Sequence, residues 1–381
     1  MFEQFRQWYG QRHDYARDWK ARTGGRVIGC FCTYEPEEIL YAANILPVRV
    51  YGSHQPSSVT EPHIFGMYCP WTRDVLAQGL LGKYDYLNGI AISQSCLHFR
   101  QCFTSWQKHI PTEFSYYLPM PHGTQSPHAL KYFTEETRKF KSAIEEWIGG
   151  EITADDLREG IYIVNEIRRL LRELYALRRA ENPPLTGQEA LWVVASAQMT
   201  DKHEHSQALN ELLAQLPDRQ LEREPGTRLM LIGSENDDAE FVEMTERLGS
   251  TFVIDENCVG TRDFWGEVEA EHFKDPLEAI AARYLARPAC PAKDWPQLSR
   301  WLHIERLAQD WKVQGAILMQ QKFCDPHELD MPTIKKRLEE KGIRTLFLEF
   351  DVTTPVGQFR TRVEAFLEML KGAELFAEEL F

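Results

Sequence analysis

Hydrophobic and polar positions along this chain follow two periods in turn. Short apolar runs bounded by turn residues alternate with stretches whose apolar positions recur at helical spacing, first up to about residue 118 and again from about residue 228. The former read as strands buried on both faces, the latter as amphipathic helices. Val27 to Thr33 is the first strand, and Pro36 opens a helix through Glu37-Glu38-Ile39-Leu40-Tyr41-Ala42-Ala43, with proline early and acids in the first turn. Pro47 to Tyr51 is a second strand and Gly52 to His63 a polar loop. A helix from Pro70 to Leu81, a strand from Leu87, a helix from Leu97 to His109 and a strand at Phe114 to Leu118 continue the alternation. Strand–helix alternation of this kind implies a parallel sheet covered on both sides.

From Thr134 the pattern turns helical and stops at Gly149-Gly150. Thr153-Ala154-Asp155-Asp156 has the form of a capping box. The run behind it (Leu157, Ile161, Val164, Ile167, Leu171, Leu174) is an apolar stripe that belongs to a core or an interface. Helices follow near Gln188 to Met199 and Ser206 to Leu216, and Gln220 to Thr227, with Pro225-Gly226, reads as a linker. The alternation restarts with strands at Arg228 to Gly233, Thr251 to Asp255, Ala316 to Phe323 and Thr345 to Phe350. Helices lie around Glu240 to Leu248, Leu277 to Ala286, Leu298 to Gln314, Ile334 to Leu338 and Val356 to Leu370, and Asn257 to Gly266 is a loop. The expected fold is α/β: two Rossmann-like parallel-sheet lobes, residues 1–150 and 228–381, joined by a helical segment and linker at 151–227. The lobes are alike in layout, not in sequence.

Charge and composition narrow the function. Of 381 residues, 43 are Lys or Arg and 57 Asp or Glu, a net charge of −14, which argues against sequence-independent nucleic-acid binding. No apolar stretch approaches the length of a membrane span, and Met1 to Trp8 does not resemble a targeting segment. A cytoplasmic protein is expected, in which eight cysteines are buried apolar residues or metal ligands rather than disulfides.

Three of them fall at strand-to-helix corners. Cys69 opens the amphipathic run after Met67-Tyr68, Cys96 follows the strand ending near Ser93, and Cys324 follows the strand ending at Phe323. Sites in parallel sheets form beyond the carboxyl ends of strands, where helix N-termini converge and favour the thiolate that ligates metal. Three thiolates would leave one iron of a cluster with an exchangeable position. No Cys-x-x-Cys pair strengthens the spacing, and Cys102, six residues past Cys96, is its rival. Cys30 and Cys32 share one side of a strand and line the site or pack; Cys258 and Cys290 read as loop or packing residues. His98 is the candidate proton donor and Arg100 a candidate anchor for an acyl or phosphate group, against the alternative that both are solvated helix positions. His63 and His122 have weaker claims, and His203 and His205 lack metal-pair spacing. Gly79-Leu80-Leu81-Gly82-Lys83 is too short for a phosphate loop and Tyr84 follows it; no dinucleotide fingerprint or nucleophile elbow is present. Any ATP must therefore be used by a partner.

Gly29-Cys30-Phe31-Cys32-Thr33-Tyr34-Glu35-Pro36-Glu37-Glu38-Ile39-Leu40-Tyr41-Ala42-Ala43, with Leu46-Pro47-Val48-Arg49, Cys69-Pro70, the post-strand Cys96 and Gln321-Lys322-Phe323-Cys324, resembles the benzoyl-CoA reductase and 2-hydroxyacyl-CoA dehydratase subunits. Length and pattern are most similar to the C (gamma) subunit of the ATP-dependent, class I reductases. The resemblance implies a [4Fe-4S] cluster on Cys69, Cys96 and Cys324 between the lobes, a homologous cluster-bearing partner subunit and ATPase activator subunits fed by reduced ferredoxin. It also implies a CoA-thioester substrate and reduction of the benzoyl-CoA ring to a cyclic diene by one-electron steps. The dehydratases more often have Cys-Asp and basic residues where this chain has Cys96-Leu97-His98-Phe99-Arg100. Two other readings stand beside it: a 2-hydroxyacyl-CoA dehydratase subunit, and a scaffold whose cysteines pack or bind zinc.

Overall fold

The computed structural model describes residues 1–378, with side chains through residue 372; residues 379–381, the end of the last expected segment, lie outside the described residues. Among the described residues, eight strands form two parallel sheets. The first contains β1 (Arg26–Cys30), β2 (Ile45–Arg49), β3 (Gly89–Ser93) and β4 (Phe114–Leu118) in the order β2-β1-β3-β4. The second contains β5 (Thr227–Gly233), β6 (Ser250–Glu256), β7 (Gly315–Gln321) and β8 (Arg344–Phe350) in the order β6-β5-β7-β8. The two orders are the same path repeated, so each sheet reverses its winding between its first and third strands, where open α/β sheets form binding crevices. The expected two-lobed α/β class is the observed one. Pro47 sits inside β2 without disrupting the ladder because β2 is an edge strand whose missing N–H faces away from β1.

Every residue of β3 and β7 is buried, as strands covered on both faces must be. On one face of the first sheet, Val27, Val48 and Ile92 pack with Val75, Phe103 and Trp106 of the helices Pro70–Leu80 and Leu97–His109. On the other face, Ile28 and Ala91 meet Leu40, Phe140, Leu157 and Ile161, and also Leu277, Ile280 and Tyr284. The last three belong to the helix Pro276–Ala286, which lies late in the chain but joins the core of the first sheet. Phe2 and Phe5 make the opposite exchange: the N-terminal helix Glu3–Gly10 packs with Met230, Ile232 and Leu318 of the second sheet.

The apolar stripe after Thr153 forms the helix Ala154–Leu177, closed at its start by the capping box Thr153–Asp156. Its first half packs on the first lobe through Leu157 and Ile161, its second half on the second lobe through Ile167, Leu171 and Leu174. At about 1.5 Å per residue the helix is long enough to brace both. It crosses the helix Glu37–Ala42 so closely that a Cβ at Gly160 would stand 2.1 Å from the Glu38 carbonyl oxygen. Beside this crossing, Arg168 donates to the buried Glu38 carboxylate at 2.6 Å, and Tyr284 donates to the other oxygen at 3.0 Å.

Several boundaries differ from expectation for local reasons. β1 ends at Cys30 and not at Thr33, because the Glu35 carboxylate accepts the Cys32 N–H and turns the chain. The second strand is Ile45–Arg49, and the helix expected over 298–314 is Arg300–Asp310. It starts where Asp294 accepts the Ser299 and Arg300 N–H groups and ends before Lys312, whose φ is 52°. The loop after Asn257 contains a single helical turn, Thr261–Phe264.

Candidate metal centre

The sheets meet with their carboxyl ends facing each other. Arg49, the last residue of β2, pairs with Glu235 two residues beyond β5. Gln321, the last residue of β7, accepts the Trp71 N–H at 3.0 Å and donates to the Glu235 carbonyl at 2.8 Å. At this seam Cys69, Cys96 and Cys324 line one cavity of about 280 Å³, together with His98, Arg100, Tyr117, His122 and Asp325.

Each of the three cysteines is the N-cap of a helix: Cys69 of Pro70–Leu80, Cys96 of Leu97–His109, and Cys324 of Asp325–Glu340. None of these caps is closed by a side-chain hydrogen bond, and the three cysteines stand at the positive ends of three helix dipoles. Cys96 and Cys324 are counterparts, each three residues past the third strand of its sheet. Phe323, just before Cys324, has a φ of 58°, a left-handed conformation that a bulky residue adopts at a cost and that shapes the turn carrying the thiol. Burial raises all three thiols above the ordinary range, and the neighbouring sulfurs raise Cys96 and Cys324 further. A thiol in such a place is neutral, and any thiol that ligates metal must first release its proton. Among the described residues, no three His, Cys, Asp or Glu side chains are placed to hold a single metal ion.

Cys102 lies elsewhere. It is fully buried in the core and its thiol donates to the Thr72 carbonyl at 3.3 Å, so only Cys96 of that pair reaches the cavity. All eight cysteines are free. Cys30 is buried; Cys32, Cys258 and Cys290 are half-buried. The Cys258 sulfur accepts from Arg262 at 3.1 Å.

His98 is built into the cavity wall. Its Nδ1 accepts the Cys69 N–H at 3.1 Å, which places the ring proton on Nε2, 3.6 Å from Asp325 Oδ2. Tyr68 packs on the ring at 4.8 Å between centroids. Burial lowers the His98 pKa, and a second proton on Nδ1 would oppose the Cys69 N–H. The expected proton donor thus offers only Nε2–H, and it also holds the backbone of Cys69. His122 bridges Gln94 and the Ala292 carbonyl; His63 packs against His109 with tilted rings, centroids 4.2 Å apart, in a separate surface pocket; His205 is a core residue.

Sequence reasoning missed three groups around the seam. Glu35 is buried, accepts from the Cys32 and Ser93 N–H groups, and is pushed up to about 8 by burial, with one oxygen unpaired. Arg49 is buried with two of its nitrogens unpaired. Lys293 is buried behind Ala292, its pKa drawn down to about 8 by burial while Cys290, Cys32 and Cys96 oppose that fall. Glu35 and Arg49 stand in the quoted signature, but Lys293 has no sequence signal.

Fold and site together define a two-lobed α/β protein with three helix-capping thiols converging on an interlobe cavity. Over residues 32–370 the chain matches the profile of the family described as 2-hydroxyglutaryl-CoA dehydratase, D-component, and it belongs to that family. It is 26% identical to the (R)-phenyllactyl-CoA dehydratase beta subunit of Clostridium sporogenes, covering 92% of this chain and 93% of that one. It is 24% identical to the C subunit of the benzoyl-CoA reductase of Thauera aromatica, over 91% and 90%. With the (R)-2-hydroxyglutaryl-CoA dehydratase subunit beta of Acidaminococcus fermentans it shares 25%, over 91% and 93%. The expected family resemblance is borne out, and these relatives are all subunits of larger enzymes. Among the described residues, no helix is long and apolar enough to cross a membrane.

Proposed function

We propose that this chain holds a [4Fe-4S] cluster on Cys69, Cys96 and Cys324 and is a subunit of an ATP-dependent reductase that converts the ring of benzoyl-CoA to a cyclic diene. The observation that carries the proposal is the convergence of three helix-capping thiols on one cavity at the winding reversals of two like sheets. Cysteine sulfur is the usual donor to iron–sulfur clusters, and three helix N-termini favour an anionic group among them. Bound there, the cluster would supply single electrons at low potential.

The chain's own residues have separable tasks. Thr72 donates to the Cys69 carbonyl at 2.8 Å and His98 accepts the Cys69 N–H, so the backbone of this cysteine is held at both ends. Arg100 and Tyr117 line the same cavity as anchors for a thioester substrate or for the partner that presents it. His98 can pass a proton to a reduced ring only from Nε2. A homologous cluster-bearing subunit would complete the enzyme, and because this chain lacks a phosphate loop, ATP hydrolysis and electron delivery from reduced ferredoxin fall to activator subunits.

A second reading, dehydration of a 2-hydroxyacyl-CoA, is favoured by the names of the dehydratase subunits among the relatives. Anaerobic purification followed by metal and sulfide analysis tests the common part: about four iron and four sulfide per chain are expected, and zinc or no metal would overturn it. Assays with benzoyl-CoA and with 2-hydroxyacyl-CoAs, in the presence of companion and activator subunits, then choose between the two reactions.

A further inference from the structure

The three thiols stand on separate elements, and the corners that carry them are tied to one another in pairs. The Cys69 N–H donates to His98 Nδ1 at 3.1 Å, which joins the Cys69 corner to the helix that Cys96 caps. The other ring nitrogen of His98 stands 3.6 Å from Asp325 Oδ2, in the first turn of the helix that Cys324 caps. The third side of the triangle crosses between the lobes twice. One tie is the buried bond from the Trp71 N–H to Gln321 at 3.0 Å. The other runs through Asp351.

Asp351 is the first residue past β8, and the sheet sets it beside the turn that carries Cys324: the Lys322 N–H donates to the Phe350 carbonyl at 3.0 Å, joining the ends of β7 and β8. The carboxylate Oδ1 accepts from Arg73 Nη2 at 2.6 Å and from the Val352 N–H at 2.8 Å, and Oδ2 faces Lys322 Nζ at 3.7 Å. Arg73 belongs to the first lobe, four residues past Cys69 on the helix that this cysteine caps. Its backbone N–H donates to the Cys69 carbonyl at 3.2 Å and its Nε to the Tyr68 carbonyl at 2.9 Å. The peptides on both sides of Cys69 are therefore held by one residue, and that residue is anchored on the second lobe by Asp351.

Resting on the cluster reading proposed above, we infer that Asp351 is a positioning residue of the three-thiol centre: by holding Arg73 it sets the Cys69 corner against the Cys324 corner and closes the ring of ties around the cavity. Ligands drawn from three helices hold one group tightly only when their spacing is fixed beforehand, since any freedom left to them is lost on binding. Asp351 lies outside the thiol cavity, on the wall of a separate cavity of about 430 Å³, and acts through Arg73. Its side chain is 45% exposed and that of Arg73 21%, so the pair adds little to folding stability. Its effect is local, on the two backbone segments it connects.

The test is the rate of iron loss to excess chelator from the full-length chain, isolated anaerobically in its complex, with thermal unfolding of the same samples. Asp351→Ala removes the tie. It should lose iron at least about tenfold faster than the wild type, with a melting temperature lowered by no more than about 2 °C. Asp351→Asn keeps an acceptor for Arg73 and should stay within about threefold of the wild-type rate. Arg360→Ala removes another exposed pair, with Glu364 at 2.9 Å, and should leave the rate unchanged. Asp351→Ala that folds but takes up no iron, beside a filled Asp351→Asn, shows the same requirement at assembly. An unchanged rate in Asp351→Ala with full iron overturns the inference and leaves the cluster reading intact, whereas a wild-type chain without iron overturns both. Equal acceleration in Asp351→Ala and Asp351→Asn assigns the effect to the carboxylate charge, and a larger fall of the melting temperature in Asp351→Ala assigns it to folding; either overturns the inference.

Discussion

Cys96 and Cys102 lie six residues apart, the first capping and the second within one helix, and the structure gives them opposite fates, so replacing each with alanine should dissociate metal content from stability. Cys102 is fully buried and its sulfur fills space between the helices Pro70–Leu80 and Leu97–His109. Removing one buried sulfur costs about 1–2 kcal/mol in transfer and cavity terms, with a few tenths more for the weak bond to the Thr72 carbonyl. Unfolding entropy for a chain this long is roughly 0.8 kcal/mol/K, so Cys102→Ala should lower the melting temperature by about 1–3 °C and keep its iron. Cys96 is only half-buried and makes no side-chain cap bond, so Cys96→Ala should barely alter the stability of the metal-free chain yet lose most of the iron. The assays are iron determination after anaerobic isolation and thermal unfolding followed by circular dichroism. Full iron in Cys96→Ala together with loss in Cys102→Ala would refute the assignment of the thiol at this corner; equal loss in both would show that helix integrity, not ligation, governs retention.

Four further outcomes are expected. His98→Asn can offer an acceptor to the Cys69 N–H whereas His98→Leu cannot; if His98 chiefly positions Cys69, iron content falls in the leucine variant and is largely kept in the asparagine one, whereas a role in proton delivery from Nε2 predicts slower turnover in both with the cluster intact. Arg168→Met strands the buried Glu38 carboxylate and should cost about 3–5 kcal/mol in denaturant unfolding, with much of it recovered in the Arg168→Met, Glu38→Gln double variant; a loss below about 1 kcal/mol would contradict the pairing. His205 and His303 are held neutral by burial, with pKa values lowered from 6.5 to about 3 and about 4. Because the folded values are depressed, their contribution is complete above pH 6.5 and is lost as pH falls through about 4 and then about 3. The melting temperature should decline over that window, and His205→Gln should remove a slope of up to about 1.4 kcal/mol per pH unit; an unchanged slope refutes it. Finally, the isolated chain should bind no ATP at micromolar concentrations by calorimetry, since it lacks a phosphate loop.

Local pattern determined a great deal about this protein. Period and stop signals specify the strands, the capping box at Thr153 and the helices that Cys69 and Cys96 cap, because these depend on neighbours a few residues away. The corner positions of Cys69, Cys96 and Cys324 were legible for the same reason: a site beyond the ends of parallel strands follows from chain order alone. The ends of elements were less so. β1 stops at Cys30 because the Glu35 carboxylate takes the Cys32 amide, and the helix Arg300–Asp310 starts late because Asp294 caps it, neither of which leaves a periodic signal.

What only the tertiary structure decided concerns groups that meet across long stretches of chain. The helix Pro276–Ala286 joins the core of the first lobe and the N-terminal helix that of the second, since apolar burial is non-directional and any amphipathic face of suitable shape can fill either core. Cys96 rather than Cys102 reaches the cavity because six residues around a helix point the two thiols to different sides, one toward the seam and one toward Thr72. His98 has its ring proton assigned by an amide twenty-nine residues earlier. Lys293 has no signal in the sequence; it is buried because the first lobe closes over the turn that carries it, and burial is defined by what surrounds a group in space.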